Sequence, residues 1–310
     1  MPERLDSLHG LGVSAVWVTP PFKNKPVQAD SAGYHGYWVL DFLRIDPHLG
    51  TNDEFAAFVR AARDRGMRVF MDIIVNHTAD VIVPAGGVLD YVDLATAPYR
   101  DADGRVFDLR DHAWNGIGEP VFPELSAERS FPYVPHVPAA EVGTKNPAWL
   151  EDATLYHNRG NTTFAGENSL YGDFAGLDDL LTAHPRVVQG FIDVFTFWIE
   201  SLGVDGFRID TVKHVNAEFW QAFSPAIAEA ARRIGRPDFL QFAEVYSDAG
   251  DPEFLAEFST HLPIDTALDF GFFERRLRKI TATTFENHAI SNRIFGKLGF
   301  RMDGVVPDLL

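Results

Sequence analysis

Arg208 and Asp210 stand two residues apart in the run Val204–Asp210, and on a β-strand that spacing turns both side chains to one face. A guanidinium beside a carboxylate favours the ionised acid through opposite charge and hydrogen bonding, as a carboxylate nucleophile requires. Glu244 closes a second apolar run, Phe239–Glu244. Partial burial there would raise its pKa, which suits a general acid. Asp72 lies near the end of a third run, Met67–Val75, and is followed by Asn76 and His77. Two carboxylates of unlike character, one nucleophile and one acid that later serves as base, are what glycosidic bond cleavage needs. A separation of about 5–5.5 Å gives retention of configuration. The segment Tyr34–Trp38, YHGYW, offers flat rings for stacking on sugar faces, with ordinary core packing as the competing explanation. Taken singly, each residue has a plain structural role: a surface ion pair, a solvated strand end, a loop histidine. Together they weigh more, because three successive runs deliver carboxylates, Arg and His to strand ends.

Those runs must be positioned by something. Val13–Val18, Met67–Val75, Val204–Asp210 and Phe239–Glu244 are short, rich in Val, Ile and Phe, and bounded by Gly or Pro, so they read as buried strands. Helices fall between them. Thr51 with Glu54 forms a capping box ahead of Phe55, Phe58, Val59 and Ala62, and Gly66 closes that helix. Arg186–Leu202 carries Val187, Val188, Phe191, Val194, Phe195, Trp198 and Ile199 near a 3.6-residue period, with Gly203 as its stop. Asn216 opens another helix through Phe219, Phe223, Ile227 and Ile234 to Gly235. Repeated helix–Gly–strand order implies parallel strands with crossover helices, an α/β barrel whose chemistry sits at the carboxyl ends of the strands. From Thr78 to His184 the pattern breaks into Gly, Pro, Asn, Asp and scattered aromatics. A structureless loop of that length is improbable in a compact domain. The expected organisation is therefore a barrel from 1–77 and 185–310, with an irregular inserted subdomain over 78–184.

Among the 310 residues, 44 Asp+Glu against 27 Lys+Arg give a formal net charge of −17. Phosphate backbones repel such a surface, so nucleic acid is not an expected partner. There is no Cys, which excludes disulfides, thiolate metal sites and Cys nucleophiles. No stretch of eighteen uninterrupted apolar residues exists, so no membrane partner is expected. The N-terminus MPERLDSLHGLG lacks the basic and apolar regions of a signal peptide. Both ends read as cuts through a larger fold, so secretion of a longer form and the oligomeric state are left open. Gly-x-Ser-x-Gly, Gly-Lys-Ser/Thr, G-x-G-x-x-G and His-Glu-x-x-His motifs are absent.

At these residues the chain resembles the α-amylase superfamily of retaining α-glucan enzymes, glycoside hydrolase family thirteen. MDIIVNH (Met71–His77) is similar to its first signature, GFRIDTVKH (Gly206–His214) to its second and FAEVY (Phe242–Tyr246) to its third. LDDLLTAHP, GVSAVWVTPPF, AGYHGYW and DPHLGTNDEF add to the likeness, which runs from about Leu5 to Asp269. The resemblance implies a TIM (β/α)8-type barrel with a subdomain inserted after the third barrel strand, and a substrate of starch-like α-glucan or malto-oligosaccharide. It implies Asp210 as nucleophile, Glu244 as acid/base and Arg208 as the clamp on Asp210. Tyr37 would stack on the sugar, His77 and Asp72 would bind substrate, and Lys213 and His214 would meet the leaving-group side. Asn76, Asp179 and the backbone carbonyl of His214 match the positions of the family's structural calcium ligands, and oxygen donors suit that ion.

The sequence also departs from the family. Asn287-His288-Ala289 is the one echo of the fourth signature, and Ala stands where a third carboxylate is expected. It reads as a chance match, the alternative being an altered form of the real element. The first barrel strand, the last two strands and a C-terminal sandwich domain are not recognised, and the tail beyond Ile280 no longer follows the family. The expectations are thus an incomplete catalytic barrel acting on α-glucans, a maltose- or trehalose-directed transglycosylase or isomerase, or a non-catalytic carbohydrate-binding remnant.

Overall fold

The computed structural model describes residues 2–28, 30–87, 89–246, 258 and 260–268. Asn287-His288-Ala289 and the tail beyond Ile280 lie outside them. The chain opens with α1 (Pro2–Gly10), followed by β1 (Ala15–Val18). An antiparallel pair, β2 (Phe22–Asn24) with β3 (Val39–Ile45), comes next, and then α2 (Asn52–Arg63) and β4 (Arg68–Ile73). Beyond the long segment come α3 (Pro185–Leu202), β5 (Gly206–Ile209), α4 (Ala217–Arg233), β6 (Leu240–Glu244) and β7 (Thr266–Leu268).

The strands β1-β4-β5-β6-β7 lie side by side in that order, and every pairing is parallel. This is part of a (β/α)8 barrel, with crossover helices α2, α3 and α4 between successive strands. The elements form for local reasons. Thr51 accepts from the Glu54 N–H at 3.2 Å and the Glu54 carboxylate accepts from the Thr51 N–H at 2.8 Å, which satisfies two donors that a helix start leaves open. Gly203 ends α3 at φ +65°, a left-handed conformation that a Cβ would strain. Phe55, Phe58, Phe191, Phe195, Trp198, Phe219 and Phe223 are buried and join the apolar side of the sheet in one core.

One expectation differs from what is found. Val13–Val18 reads as a buried strand, yet β1 covers Ala15–Val18 and Trp17 is 49% exposed; β1 pairs on one side only among the described residues. The β7 strand and the β2–β3 pair carried no sequence signal strong enough to be anticipated. Thr266–Leu268 is only three residues long, and β2–β3 has register shifts that break alternation.

Between β4 and α3, short 3₁₀ turns and two-residue strands replace long elements. Tyr99, Leu109, Phe131, Tyr171, Leu181 and Ala183 form an apolar cluster of their own there. Fully buried Arg159 donates to the carbonyls of Val92 and Ala97 at 3.0 and 2.6 Å, so irregular backbone finds its partners in a side chain. Asp178 accepts from the Val81 and Ile82 N–H groups and from Lys145 Nζ, the last at 2.7 Å. These bonds tie the two ends of the segment together.

Candidate active site

The sheet register decides which side chains meet. Asp72 pairs with Arg208, and Arg208 with Phe242, so the inward residues of β4, β5 and β6 form one row below the rim. Gly206 makes room in the row beneath: a Cβ there would sit 2.3 Å from the Leu240 carbonyl and 2.6 Å from the Phe70 ring. The backbone turns sharply just after β5. Thr211 adopts φ +51°, an uncommon conformation for a β-branched residue. Its N–H faces Glu244 Oε2 at 3.3 Å.

Arg208 stands at the centre and is buried. Its Nη1 donates to Asp72 Oδ1 and Asp210 Oδ1, each at 2.8 Å, and to the Tyr37 hydroxyl at 3.2 Å. Its Nη2 lies 3.0 Å from Glu244 Oε2. One guanidinium therefore serves three carboxyl groups. Were all three ionised, the cluster would carry a net double negative charge in a buried place, so protonation there is coupled. Burial raises the pKa of Asp210 and of Glu244, and Arg208 pulls both back. The charge of Asp210 adds to the rise at Glu244. A guanidinium beside Asp210 favours its ionised form, as its spacing from Arg208 implies, but in the fold burial outweighs that pull. Burial opposes the charged form of Arg208 as well, but Asp72 and Asp210 outweigh it and hold the pKa above its ordinary value.

The other anticipated residues gather nearby in differing ways. Asp72 is fully buried beneath Arg208. It accepts from Trp17 Nε1 and the Tyr37 hydroxyl, both at 3.1 Å, so it reaches the cleft through its partners. Tyr37 is held by its hydroxyl in the same network. His77 is buried, its ring stacked 5.4 Å from Phe174 at 18°, and burial lowers its pKa to about 3, which keeps it neutral. Lys213 Nζ donates to the Tyr246 carbonyl at 2.7 Å. The His214 Nδ1 sits 2.7 Å from the Ser169 carbonyl, and its ring meets Phe174 edge-on at 5.2 Å. Phe174 thus joins His77 and His214. Nothing in its local sequence marks it, and Trp17 was seen only as part of an apolar strand.

The oxygen-donor set can be tested against the fold. Asp179 is 2% exposed and its Oδ2 has no hydrogen-bond partner. His157 Nε2 lies 3.9 Å from that oxygen and is also unpartnered. Burial and the charge of Asp173 push the Asp179 carboxyl well up, while the Asn76 side chain pulls it down. A buried carboxylate oxygen facing no donor fits a hard cation. Among the described residues no group of three or more His, Cys, Asp or Glu side chains converges on a metal position, so such a cation needs amide and backbone oxygens as well.

Comparison with known proteins agrees with this arrangement. The family model for the α-amylase catalytic domain matches residues 1–293, beyond Asp269 and the motifs that carry the likeness. An α-amylase of Streptomyces lividans is 46% identical over 276 residues, covering 88% of this chain and 29% of the relative. A cyclomaltodextrin glucanotransferase of Geobacillus stearothermophilus is 30% identical over 214 residues, covering 67% of this chain and 24% of the relative. The solved α-amylase of Geobacillus thermoleovorans, complexed with acarbose, superposes with a TM-score of 0.58 at 26% identity, covering 88% of this chain and 45% of that one. The chain thus spans less than half the length of each. Matched over most of its own residues in both sequence and fold, it belongs to the α-amylase catalytic-domain family.

Proposed function

We propose that this chain carries the catalytic residues of a retaining α-glucan hydrolase. The observation that supports this most strongly is Arg208 bridging Asp210 and Glu244 at 2.8 and 3.0 Å, at the carboxyl ends of adjacent strands. In this reading Glu244 gives its proton to the glycosidic oxygen while Asp210 Oδ attacks the anomeric carbon. The bond to the leaving sugar breaks and a glycosyl ester forms. Glu244, now ionised, takes a proton from water, whose oxygen displaces Asp210 with a second inversion. Tyr37 would form the floor of the sugar site, with His77 and His214 beside it and Lys213 on the leaving-group side. Residues 78–184 act as a subdomain inserted in a barrel made by 1–77 and 185–310, in keeping with their separate apolar cluster. Proton NMR of early products from a malto-oligosaccharide tests the reading. The α-anomer should appear first, and a β-anomer first, or no cleavage, would refute it.

A transfer reaction is the second reading, suggested by the similarity to a glucanotransferase. It uses the same glycosyl ester with a sugar as acceptor, and it predicts products longer than the substrate.

Calcium, held by Asp179 Oδ, the Asn76 amide oxygen and the His214 carbonyl, would join insert to barrel as a structural cross-link. At calcium a hundredfold above its dissociation constant, the folded state should gain about 2.7 kcal/mol. Thermal melts with calcium and with a chelator should differ accordingly, and Asp179→Asn should abolish the increment.

A further inference from the structure

We infer that Trp17 is a positioning residue for the nucleophile, acting through Asp72 and Arg208; this rests on the role proposed for Asp210. The indole Nε1 donates to Asp72 Oδ2 at 3.1 Å, and the same ring lies 5.2 Å from the Arg208 guanidinium carbon. Trp17 therefore touches both members of the pair on which Asp210 depends, from a strand one removed from β5. An edge contact with Phe242 at 6.1 Å fixes the ring from the β6 side.

The need for such a donor follows from hydrogen counting. Arg208 Nη1 carries two hydrogens but faces three acceptors: Asp72 Oδ1, Asp210 Oδ1 and the Tyr37 hydroxyl. Asp72 is fully buried, so any shortfall in its hydrogen bonding is not made up by water. Burial pushes the Asp72 carboxyl up to about 7 against the pull of Arg208, and the indole N–H, one of the two donors to Oδ2, favours the ionised form without drawing the guanidinium away from Asp210. The titratable groups facing Asp72 are Tyr37, Arg208 and Asp210, with Glu244 on the far nitrogen of the same guanidinium. Losing the N–H makes Asp72 easier to protonate, and a protonated Asp72 releases its hold on Arg208. Glu244 meets Asp72 only through the far nitrogen of the shared guanidinium, so its limb of the pH profile should move less.

Trp17→Phe keeps a ring beside Arg208 and removes the donor, whereas Trp17→Leu removes both. For Trp17→Phe on a chromogenic maltoside, kcat should fall about five- to tenfold with KM within about twofold, and the acid limb of kcat/KM should rise by about half to one pH unit. The basic limb should move less. Trp17→Leu should lose more in kcat through the lost cation–π contact. In parallel, the protein has six Trp, and the indole N–H resonance missing from the Trp17→Phe spectrum identifies Trp17. In the native protein that resonance should shift with pH as Asp72 titrates. An unmoved acid limb with a lowered melting temperature would make Trp17 merely structural and overturn the inference. A pH-independent indole resonance would overturn it too. Native protein without turnover would sink the proposed function instead, and the resonance would then decide the positioning role alone.

Discussion

Asp210→Asn should reduce turnover of a chromogenic maltoside by about 10⁴-fold or more, since removing a covalent nucleophile leaves only binding and the surrounding charges to act. The substitution is nearly isosteric, and the amide oxygen can still accept from Arg208 Nη1, so the loss should fall on kcat and leave the fold in place. The thermodynamic sign separates this from damage to the fold. Burial raises the Asp210 pKa above its unfolded value. A group shifted that way contributes stability that is present below the unfolded carboxylate pKa and is lost as pH rises through the folded one. Asn avoids that loss. Asp210→Asn should therefore match the native protein in acid and equal or exceed its stability near pH 8, as measured by urea unfolding. Glu244→Gln should behave differently. It still permits attack by Asp210 on substrates with good leaving groups, so added azide should yield a glycosyl azide, and the Asp210 variant should yield none. If Asp210→Asn kept substantial turnover, the assignment of the nucleophile would be wrong.

What the sequence made legible was the part governed by local rules. Strand ends with polar residues, the Thr51–Glu54 capping box, the Gly203 stop and the two-residue spacing of Arg208 and Asp210 are each visible in a few consecutive letters. All appear in the fold at those positions. What was not legible depends on register between distant strands. Asp72 and Arg208 are 136 residues apart, and their pairing arises only when β4 and β5 align. The same alignment sets Asp72 beside the arginine, fully buried. Trp17 illustrates the point from the other side. A Trp in an apolar strand looks like core, and only the diagonal relation between β1 and β4 brings its N–H to a carboxylate 55 residues on. Within 78–184 the sequence showed irregularity but not its remedy: Arg159 and Asp178 are polar residues in a loop-like stretch that the fold buries as internal partners for backbone, with Lys145 buried against Asp178 and the Tyr156 hydroxyl. Asp179 falls between these cases, since motif likeness located it and only burial revealed its unpartnered oxygen.

Arg208→Leu should be among the most destabilising single changes in the barrel, and the reason lies in the acids it would abandon. The side chain of Asp72 is 0% exposed and that of Asp210 8%. Each keeps other hydrogen bonds but loses its cation, and breaking a buried pair in this way costs about 3–5 kcal/mol. The cost should depend on pH in a direction fixed by the chemistry. Without the guanidinium the folded-state pKa values of Asp72 and Asp210 climb further above their unfolded values. The folded variant then binds protons where the native protein does not, and its deficit shrinks as pH falls. Urea midpoints compared at pH 8 and pH 5 should show the larger difference at pH 8. A difference independent of pH would mean that Arg208 matters for packing rather than charge. The double variant Arg208→Leu with Asp72→Asn completes the argument. If the uncompensated carboxylate is the cause, removing it should restore part of the stability lost at pH 8 and little at pH 5, a coupling that a packing defect would not produce. Turnover should not return with stability, because Asp210 would still lack the cation that Glu244 shares with it.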